Sequence, residues 1–303
     1  MIINTGGRTD TVNYYSDWLL NRFEEGYVYS RNPLFPNHIT RYTLDPSIVD
    51  CVVFCSKNYR PILPELHRIT DRFNIFCHYT ITAYGKDVEP NVPDIDRSIG
   101  TLVELSAKVG SKRVAWRYDP VLLTEKYTVD YHLKMFDYMA SRLAPFVNFC
   151  VFSFVEMYKR LEYNMPELIP LTDRDKEKLA EGMGAIARKY GLHLQTCGTS
   201  ENYIRYGIAV SGCMTTANLG NALGCRFKNM AHKGTRIGCG CMPTRDIGAY
   251  NTCLNGCRYC YANKKSELAV ENHKLHDPAS PLLIGHVKPT DIIKEGNQKS
   301  FII

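Results

Sequence analysis

The chain has 303 residues and a formal net charge of +6, and its composition excludes several broad classes of protein. Hydrophobic residues make up 45 % and charged residues 22 %, as in ordinary globular domains, so neither disorder nor a fibrous repeat is expected. No uninterrupted apolar run approaches the roughly 18 residues of a membrane span, and residues 1–10 lack the features of a secretory signal. The sequence therefore predicts a cytoplasmic protein without a membrane segment. Its twelve cysteines then indicate metal or redox chemistry rather than disulfides.

Short β-branched and aromatic segments alternate along the chain with amphipathic helices. Six of these segments have the apolar character of buried parallel strands, and they cover residues 2–4, 50–55, 74–82, 112–118, 148–154 and 192–197. The alternation indicates an α/β fold with a parallel sheet, either doubly wound or curved into a (βα) barrel. Of the two, we predict a partial (βα) barrel of about six parallel strands.

Four helices are predicted between the strands, each with apolar side chains on one face. They cover residues 15–23, 95–106, 129–143 and 175–190. Gly26 follows the first helix as a stop, and Thr128 is placed to cap the third. Thr172 and Asp175 have the spacing of a capping box ahead of the fourth.

The C-terminal third of the chain differs from the rest in charge and in cysteine content. Between Cys225 and Lys265 there are eight lysines and arginines and a single acid, Asp246, whereas the rest of the chain has a net charge of −1. We therefore predict a partial barrel over residues 1–196 and a cysteine-rich iron–sulfur segment over residues 197–303, packed on the barrel mouth. The basic excess fits either charge compensation of bound thiolates or a nucleic-acid footprint.

Polar residues follow the predicted strands, at the positions where parallel α/β folds bind ligands. Any one of them could be only a cap or a turn residue. Because such residues follow strand after strand, we predict that they form a catalytic site at the barrel mouth. The candidates are Arg8, Asp10, Lys57, Arg117, Asp119 and Glu156. Asp119 and Glu156 are the strongest candidates for contact with the polar groups of a ligand.

The most specific motif is a loop with the spacing C-x₃-C-x₂-C, formed by Cys253, Cys257 and Cys260. Three thiolates on one compact loop can hold three irons of a [4Fe–4S] cube and leave the fourth iron open. A structural zinc site or a closed cluster, with a fourth ligand from elsewhere, is the alternative. Gly256 within the loop suits a tight turn close to a cofactor.

An aromatic residue, Tyr259, directly precedes the last cysteine, and with it the loop resembles that of the radical S-adenosylmethionine superfamily. The resemblance implies that the open iron binds S-adenosylmethionine, with Tyr259 near its adenine and with Gly256 and Tyr261 as further cofactor-binding residues. It also implies a low-potential electron donor such as ferredoxin or flavodoxin. In the superfamily the loop normally follows the first barrel strand, whereas here it follows the last predicted strand.

Five segments spread over nearly the full chain carry a second resemblance. They are residues 8–10, 26–33, 84–87, 116–120 and 246–253. Together they resemble an uncharacterised bacterial family, the domain of unknown function 1848, which is noted for a C-terminal cysteine cluster like that of the radical S-adenosylmethionine superfamily. The resemblance supplies no reaction, because the family has no established one.

A second set of cysteines could close another metal site. Its members are Cys197, Cys213, Cys239 and Cys241, and Cys225 could replace one of them. The set fits an auxiliary [4Fe–4S] cluster, which we favour, or a structural zinc ion, or no metal at all. The remaining cysteines lie inside predicted strands and are expected to be small buried hydrophobic residues, and they are Cys51, Cys55, Cys77 and Cys150.

The leading hypothesis is an iron–sulfur enzyme of the radical S-adenosylmethionine type. It would cleave S-adenosylmethionine reductively, and the resulting radical would abstract hydrogen from an unknown substrate. One alternative is an enzyme that acts on nucleic acid, since lyases that repair DNA photoproducts share the cysteine spacing. The other is a non-enzymatic binding protein, stapled by zinc or a cluster, that binds nucleic acid through its basic residues.

Overall fold

The computed structural model describes residues 1–198, 201–228 and 239–303. Within these ranges the strands are β1 (Ile2–Asn4), β2 (Tyr27–Arg31), β3 (His38–Thr43), β4 (Cys51–Ser56), β5 (Ile75–Thr80), β6 (Val114–Val121), β7 (Phe149–Phe154), β8 (Leu194–Thr196), β9 (Ala209–Val210), β10 (Thr244–Asp246) and β11 (Ile292–Glu295). The α-helices are α1 (Thr11–Tyr14), α2 (Ser16–Glu25), α3 (His67–Thr70), α4 (Ile95–Val109), α5 (Val129–Leu143), α6 (Lys159–Asn164), α7 (Asp173–Lys189), α8 (Thr216–Leu223) and α9 (Ser266–His273). None of these described helices has the length and apolar composition that crossing a membrane requires.

Among the described residues, eight strands form one large sheet in the order β10-β1-β4-β5-β6-β7-β8-β9. The pairings of β1 with β10 and β4 are parallel, and so are those that join β6, β7, β8 and β9. Apart from β10, the order follows the chain without reversal, which is the winding of a (βα) barrel and not of a doubly wound sheet. The predicted α/β class is confirmed, and each of the six predicted strands is present.

The sequence did not reveal the two edge strands of this sheet or a second, three-stranded sheet. β9 has two residues and β10 has three, which is too short for an alternating pattern to be recognised. β2 and β3 form an antiparallel hairpin, and β11 pairs in parallel with β3. All four residues of β11 are exposed, so its sequence has no alternation of buried and exposed residues from which a strand could be predicted.

The predicted helix boundaries are confirmed at the capping residues. Gly26 ends α2 in the left-handed conformation, with a φ of 77° that favours glycine. The hydroxyl of Thr128 accepts the Tyr131 N–H at the start of α5. Thr172 and Asp175 form the reciprocal hydrogen bonds of a capping box at the start of α7. These side chains satisfy N–H groups that have no partner inside the helix, and so they determine where each helix begins.

The chain divides into two compact units. The first consists of Met1–Cys77, Thr244–Gly256 and Cys260–Ile303, and the second consists of His78–Pro243 and Cys257–Tyr259. The division at residue 196 that the sequence suggested stays a prediction.

Each unit has a buried tryptophan whose indole N–H is satisfied by a backbone carbonyl. In the first unit, Trp18 of α2 donates to the Ser280 carbonyl at 2.9 Å. In the second unit, Trp116 of β6 donates to the Ile81 carbonyl at 2.9 Å and stacks on Phe136 of α5, with ring centroids 5.0 Å apart. A large aromatic side chain is stable in a core when its polar atom has such a partner.

Two helical glycines of the second unit should respond to alanine in opposite directions. A Cβ at Gly184 in α7 would lie 2.3 Å from the Tyr206 carbonyl oxygen, whereas a Cβ at the exposed Gly100 in α4 would have nothing within 4 Å. We expect Gly100→Ala to raise the free energy of unfolding by about 0.5–1 kcal/mol, because alanine is the better helix former. We expect Gly184→Ala to lower it by about 1–3 kcal/mol, because backbone must move. Urea denaturation measures both, and equal stabilisation by the two variants would contradict the packing described here.

Candidate metal centre

Thiols of the second unit converge at the end of β8. The sulfur atoms of Cys197, Cys213 and Cys241 all lie within 4.8 Å of one another, and those of Cys213 and Cys241 are 3.4 Å apart. The thiol of Cys239 is in hydrogen-bonding contact with those of Cys197 and Cys241. The structure thus brings together three cysteines of the second predicted set in a group that could hold a metal, and the fourth, Cys239, contacts two of them.

Two short backbone segments carry three of these cysteines side by side. The Met242 N–H donates to the Met214 carbonyl at 2.8 Å, which pairs the two segments. The Gly212 carbonyl accepts hydrogen bonds from Gln195 of β8 at 3.0 Å and from Asn218 of α8 at 2.9 Å. The amide side chains therefore fix the loop that leads into Cys213. Sequence analysis did not identify them, although Gln195 lies on β8 only two residues before Cys197.

The thiols affect the ionisation of one another. Hydrogen bonds from the neighbouring thiols lower the pKa of Cys197 well below its ordinary value, and the Arg117 guanidinium lowers it further. The same contact with Cys197 raises the pKa of Cys213 to about 12, and contacts with the other thiols raise the pKa of Cys241. The Met214 N–H donates to the sulfur of Cys241 at 3.4 Å. The neighbouring thiols thus stabilise one thiolate, whereas ionisation of further thiols in the same place needs a cation.

A cation, a carboxylate and an imidazole of the second unit surround this group. Arg117 of β6 forms an ion pair with Asp119, and Asp119 also accepts a hydrogen bond from Ser153. The Arg117 and Asp119 side chains are only 13 % and 10 % exposed. His78 is buried, and its ring lies close to the backbone of Cys213. Burial, and then the charge of Arg117, lower the pKa of His78 to about 3. Its ring is therefore neutral near pH 7, and sequence analysis did not identify it.

In the first unit, the cysteine loop is held through the buried thiol of Cys253. Its sulfur accepts hydrogen bonds from the N–H groups of Asn255 and Asp10. Burial raises the pKa of Cys253, and the negative charges of Asp10 and Cys260 raise it further. The Ala262 N–H donates to the sulfur of Cys260 at 3.3 Å. Hydrogen bonds from N–H groups to sulfur are among the features that tune cluster-bound thiolates.

Asp10 and Asn255 form the network that fixes this loop to α1. The Asp10 carboxylate accepts the Asn13 N–H at 3.1 Å as the cap of α1, and it accepts the Lys57 N–H at 3.0 Å. Asn255 donates to Asp10 at 2.9 Å and accepts from Asn13 at 3.2 Å and from the Tyr14 hydroxyl at 3.1 Å. Asn255 was not among the predicted site residues. Its position between Cys253 and Cys257 was the signal that could have identified it.

Cys257–Tyr259 belongs to the second unit, where Tyr259 has several partners. Its hydroxyl donates to the Glu89 carboxylate, and its carbonyl accepts the Tyr158 hydroxyl at 2.9 Å. Its ring centroid lies 5.9 Å from that of Tyr84. These contacts give Tyr259 a packing role in the second unit, and its contact with adenine stays a prediction.

The other predicted residues are found in both units. Arg8 lies 3.9 Å from the Asp246 carboxylate and over the ring of Tyr250. The exposed Tyr261 donates to the Gly7 carbonyl at 2.7 Å. Gly256 has a φ of 69°, a conformation that favours glycine.

The candidate catalytic residues differ in burial. Lys57 is 9 % exposed, whereas Glu156 is exposed. Their catalytic roles, and those of Arg8, Asp10, Arg117 and Asp119, stay predictions.

Cysteines outside the two sets are placed mostly as expected. Cys51, Cys77 and Cys150 are buried within strands, as predicted, but Cys55 in β4 is only half-buried. Cys225 lies in the turn after α8, where its N–H donates to the Gly220 carbonyl at 3.2 Å.

The sulfur-containing segments lie inside a recognised family. A family described as "Domain of unknown function (DUF1848)" matches residues 2–262. The chain belongs to this family. The DUF1848 match ends two residues after Cys260, so it includes all seven candidate sulfur ligands. No curated protein and no solved structure matches the chain.

Gly212 should be required for the close approach of the cysteine-bearing segments. A Cβ there would lie 2.8 Å from the Cys241 nitrogen and 3.1 Å from its sulfur, whereas a Cβ at Gly240 would meet nothing closer than 3.5 Å. We expect Gly212→Ala to weaken zinc binding by roughly 10–100-fold, as loss of supporting contacts does elsewhere. We expect Gly240→Ala to stay within about twofold of the unmodified chain. Competition with a chelating dye measures both affinities, and equal binding by the two variants would show that the close approach is not needed.

Proposed function

We propose that this chain is an iron–sulfur enzyme of the radical S-adenosylmethionine type, in which Cys253, Cys257 and Cys260 hold a [4Fe–4S] cluster. The observation that carries the proposal is the C-x₃-C-x₂-C spacing with Tyr259 before the last cysteine. Three thiolates within eight residues of chain are the ligand set of a cluster with one open iron. When bound, such a cluster supplies a low-potential electron for reductive cleavage of S-adenosylmethionine.

The hydrogen bonds to sulfur in the first unit support this assignment. Cys253 accepts two backbone N–H bonds, from Asp10 and Asn255, and Cys260 accepts one from Ala262. Donors of this kind stabilise the thiolate form that a metal requires and set the potential of a cluster. A buried cysteine that served only as a small hydrophobic residue would not need them.

Asp10 has a positioning role in this proposal. Its carboxylate is buried, and burial raises the pKa of Asp10. The carboxylate accepts hydrogen bonds from Lys57, Asn13 and Asn255, which together offset the cost of placing a negative charge near Cys253. Asp10 thus keeps Asn255, and with it the start of the cysteine loop, in one conformation.

Arg117 and Asp119 are the substrate-contacting residues of the second unit in this proposal. Their ion pair lies where the register of β6 against β7 shifts, between Tyr118 and Val121, and a shift of this kind re-aims side chains at the end of a strand. The pair leaves part of each side chain accessible and presents both signs of charge. A polar substrate with donor and acceptor groups fits such a pair.

Anaerobic reconstitution with iron and sulfide, followed by reduction in the presence of S-adenosylmethionine, tests the proposal. We expect the unmodified chain to form 5′-deoxyadenosine and Cys257→Ala to form none, because the cube loses one of its three ligands. Cys51→Ala is the matched control, since Cys51 is buried in β4 outside both cysteine sets, and it should keep the activity.

Electron paramagnetic resonance of the same samples gives a second measurement. S-adenosylmethionine should change the signal of the reduced cluster in the unmodified chain and in Cys51→Ala, and Cys257→Ala should lack that response. A fully loaded unmodified chain that forms no 5′-deoxyadenosine would overturn the proposed function.

A further inference from the structure

We infer that Cys197, Cys213, Cys239 and Cys241 bind a single tetrahedral divalent cation of the zinc type, and that they do not bind an iron–sulfur cluster. This inference concerns a different set of residues from the proposed function and does not depend on it. It also differs from the auxiliary cluster that the sequence alone favours for this set.

The distances between the sulfur atoms carry the argument. Four sulfurs at about 2.3 Å from one zinc ion in a tetrahedron lie about 3.8 Å from one another. The three sulfurs of Cys197, Cys213 and Cys241 lie within 4.8 Å of one another, and one pair is 3.4 Å apart. In a cube each thiolate binds a different iron, so the thiolates lie farther apart than they do around one ion. The spacing of these three sulfurs is that of ligands around a single ion, and Cys239, which contacts Cys197 and Cys241, is placed to supply the fourth ligand.

The backbone leaves little space for anything larger. The segments that carry Cys213 and Cys241 are joined by the hydrogen bond from Met242 to Met214, and a Cβ at Gly212 would already contact the Cys241 backbone at 2.8 Å. A cube of four irons and four sulfides would have to separate these segments. One ion can bind between the thiols with the backbone as it is.

The charge of the surroundings also fits a tetrathiolate site. Four thiolates around a divalent cation have a net charge of −2, and such a charge in a buried place needs a compensating group. Arg117 is that group, because its positive charge acts on both Cys197 and Cys213. Asp119 offsets part of the charge of Arg117, and His78 is a further titratable side chain, among the described residues, that faces the thiols. The Met214 N–H contributes a further positive dipole toward the Cys241 sulfur.

Four protein ligands leave no open position on the ion, so the site has a structural role. The ligands come from the end of β8, from the loop before α8 and from the segment before β10. Of the helices and strands described between them, α8 has eight residues and β9 has two, so the apolar area that these two elements bury is small. Metal binding therefore supplies much of the free energy that folds this part of the second unit.

The test uses the full chain with Cys253, Cys257 and Cys260 all replaced by serine, which removes the ligands of the proposed function. After treatment with a chelator, the protein is titrated with Co²⁺ and, separately, reconstituted anaerobically with iron and sulfide. We expect one Co²⁺ per chain, with the intense visible bands of tetrahedral cobalt bound by thiolates, and no retained acid-labile sulfide.

Two further substitutions on that background assign the ligands. Cys213→Ser should weaken Co²⁺ binding by more than the roughly 10–100-fold that loss of an outer-shell partner costs. Cys150→Ser is the control from the same unit, because Cys150 is buried in β7 outside both cysteine sets, and it should bind Co²⁺ as the background does. Equal loss in both variants, or in neither, would overturn the ligand assignment.

Retention of four irons and four sulfides by the triple variant would overturn the single-ion site and would place a cluster there. Failure of a folded triple variant to bind either Zn²⁺ or Co²⁺ would overturn it as well. If the triple variant does not fold, zinc X-ray absorption of the unmodified chain decides, with four sulfurs at about 2.3 Å expected and an absence of zinc contradicting the site. The unmodified chain's formation of 5′-deoxyadenosine is a separate measurement, so the two proposals can fail independently.

Discussion

Four thiols that contact one another cannot all ionise unless a cation lies among them, and this constraint governs the candidate site of the second unit. It explains why one thiol, Cys197, is readily ionised while its neighbours hold their protons more tightly. It also explains why Arg117 is placed beside the group in a mostly buried position, where a positive charge acts more strongly than at the surface. The packing at Gly212 serves the same end, because only a residue without a side chain lets the two cysteine-bearing segments approach so closely.

The cysteines of the first unit have different surroundings. There the sulfur of Cys253 has backbone N–H donors, the Asp10 carboxylate and the Cys260 thiol around it. Such an environment provides donors for the Asp10 carboxylate, which is therefore satisfied without a cation. It suits a large cofactor whose thiolates are held one at a time by hydrogen bonds. The two cysteine sets thus differ in their surroundings, and this difference motivates different metals for them.

Sequence reasoning succeeded where the signal was local. β4 could be predicted because it is apolar on both faces, and the start of α7 because its capping box lies within four residues. β11 could not be predicted, since an exposed strand has no hydrophobic pattern. In the site, spacing was enough to group Cys239 with Cys241, but His78 reaches the thiols only through the pairing of strands far apart in sequence. Sulfur-to-sulfur distances are likewise absent from a sequence, so cysteine counts alone could not distinguish a cluster from a single ion.

The basic excess of residues 225–265 illustrates the same limit for charge. Two of its eight cations, Lys233 and Arg236, lie outside the described residues. Arg258 forms an ion pair with Glu167 at 2.5 Å and donates to the Asn164 carbonyl, so its guanidinium is paired within the second unit. A cation that acts on the thiols is Arg117, which lies more than a hundred residues earlier on β6. The charge of Arg117 therefore reaches the thiols through strand order, which brings β6 to the neighbourhood of β8 through β7.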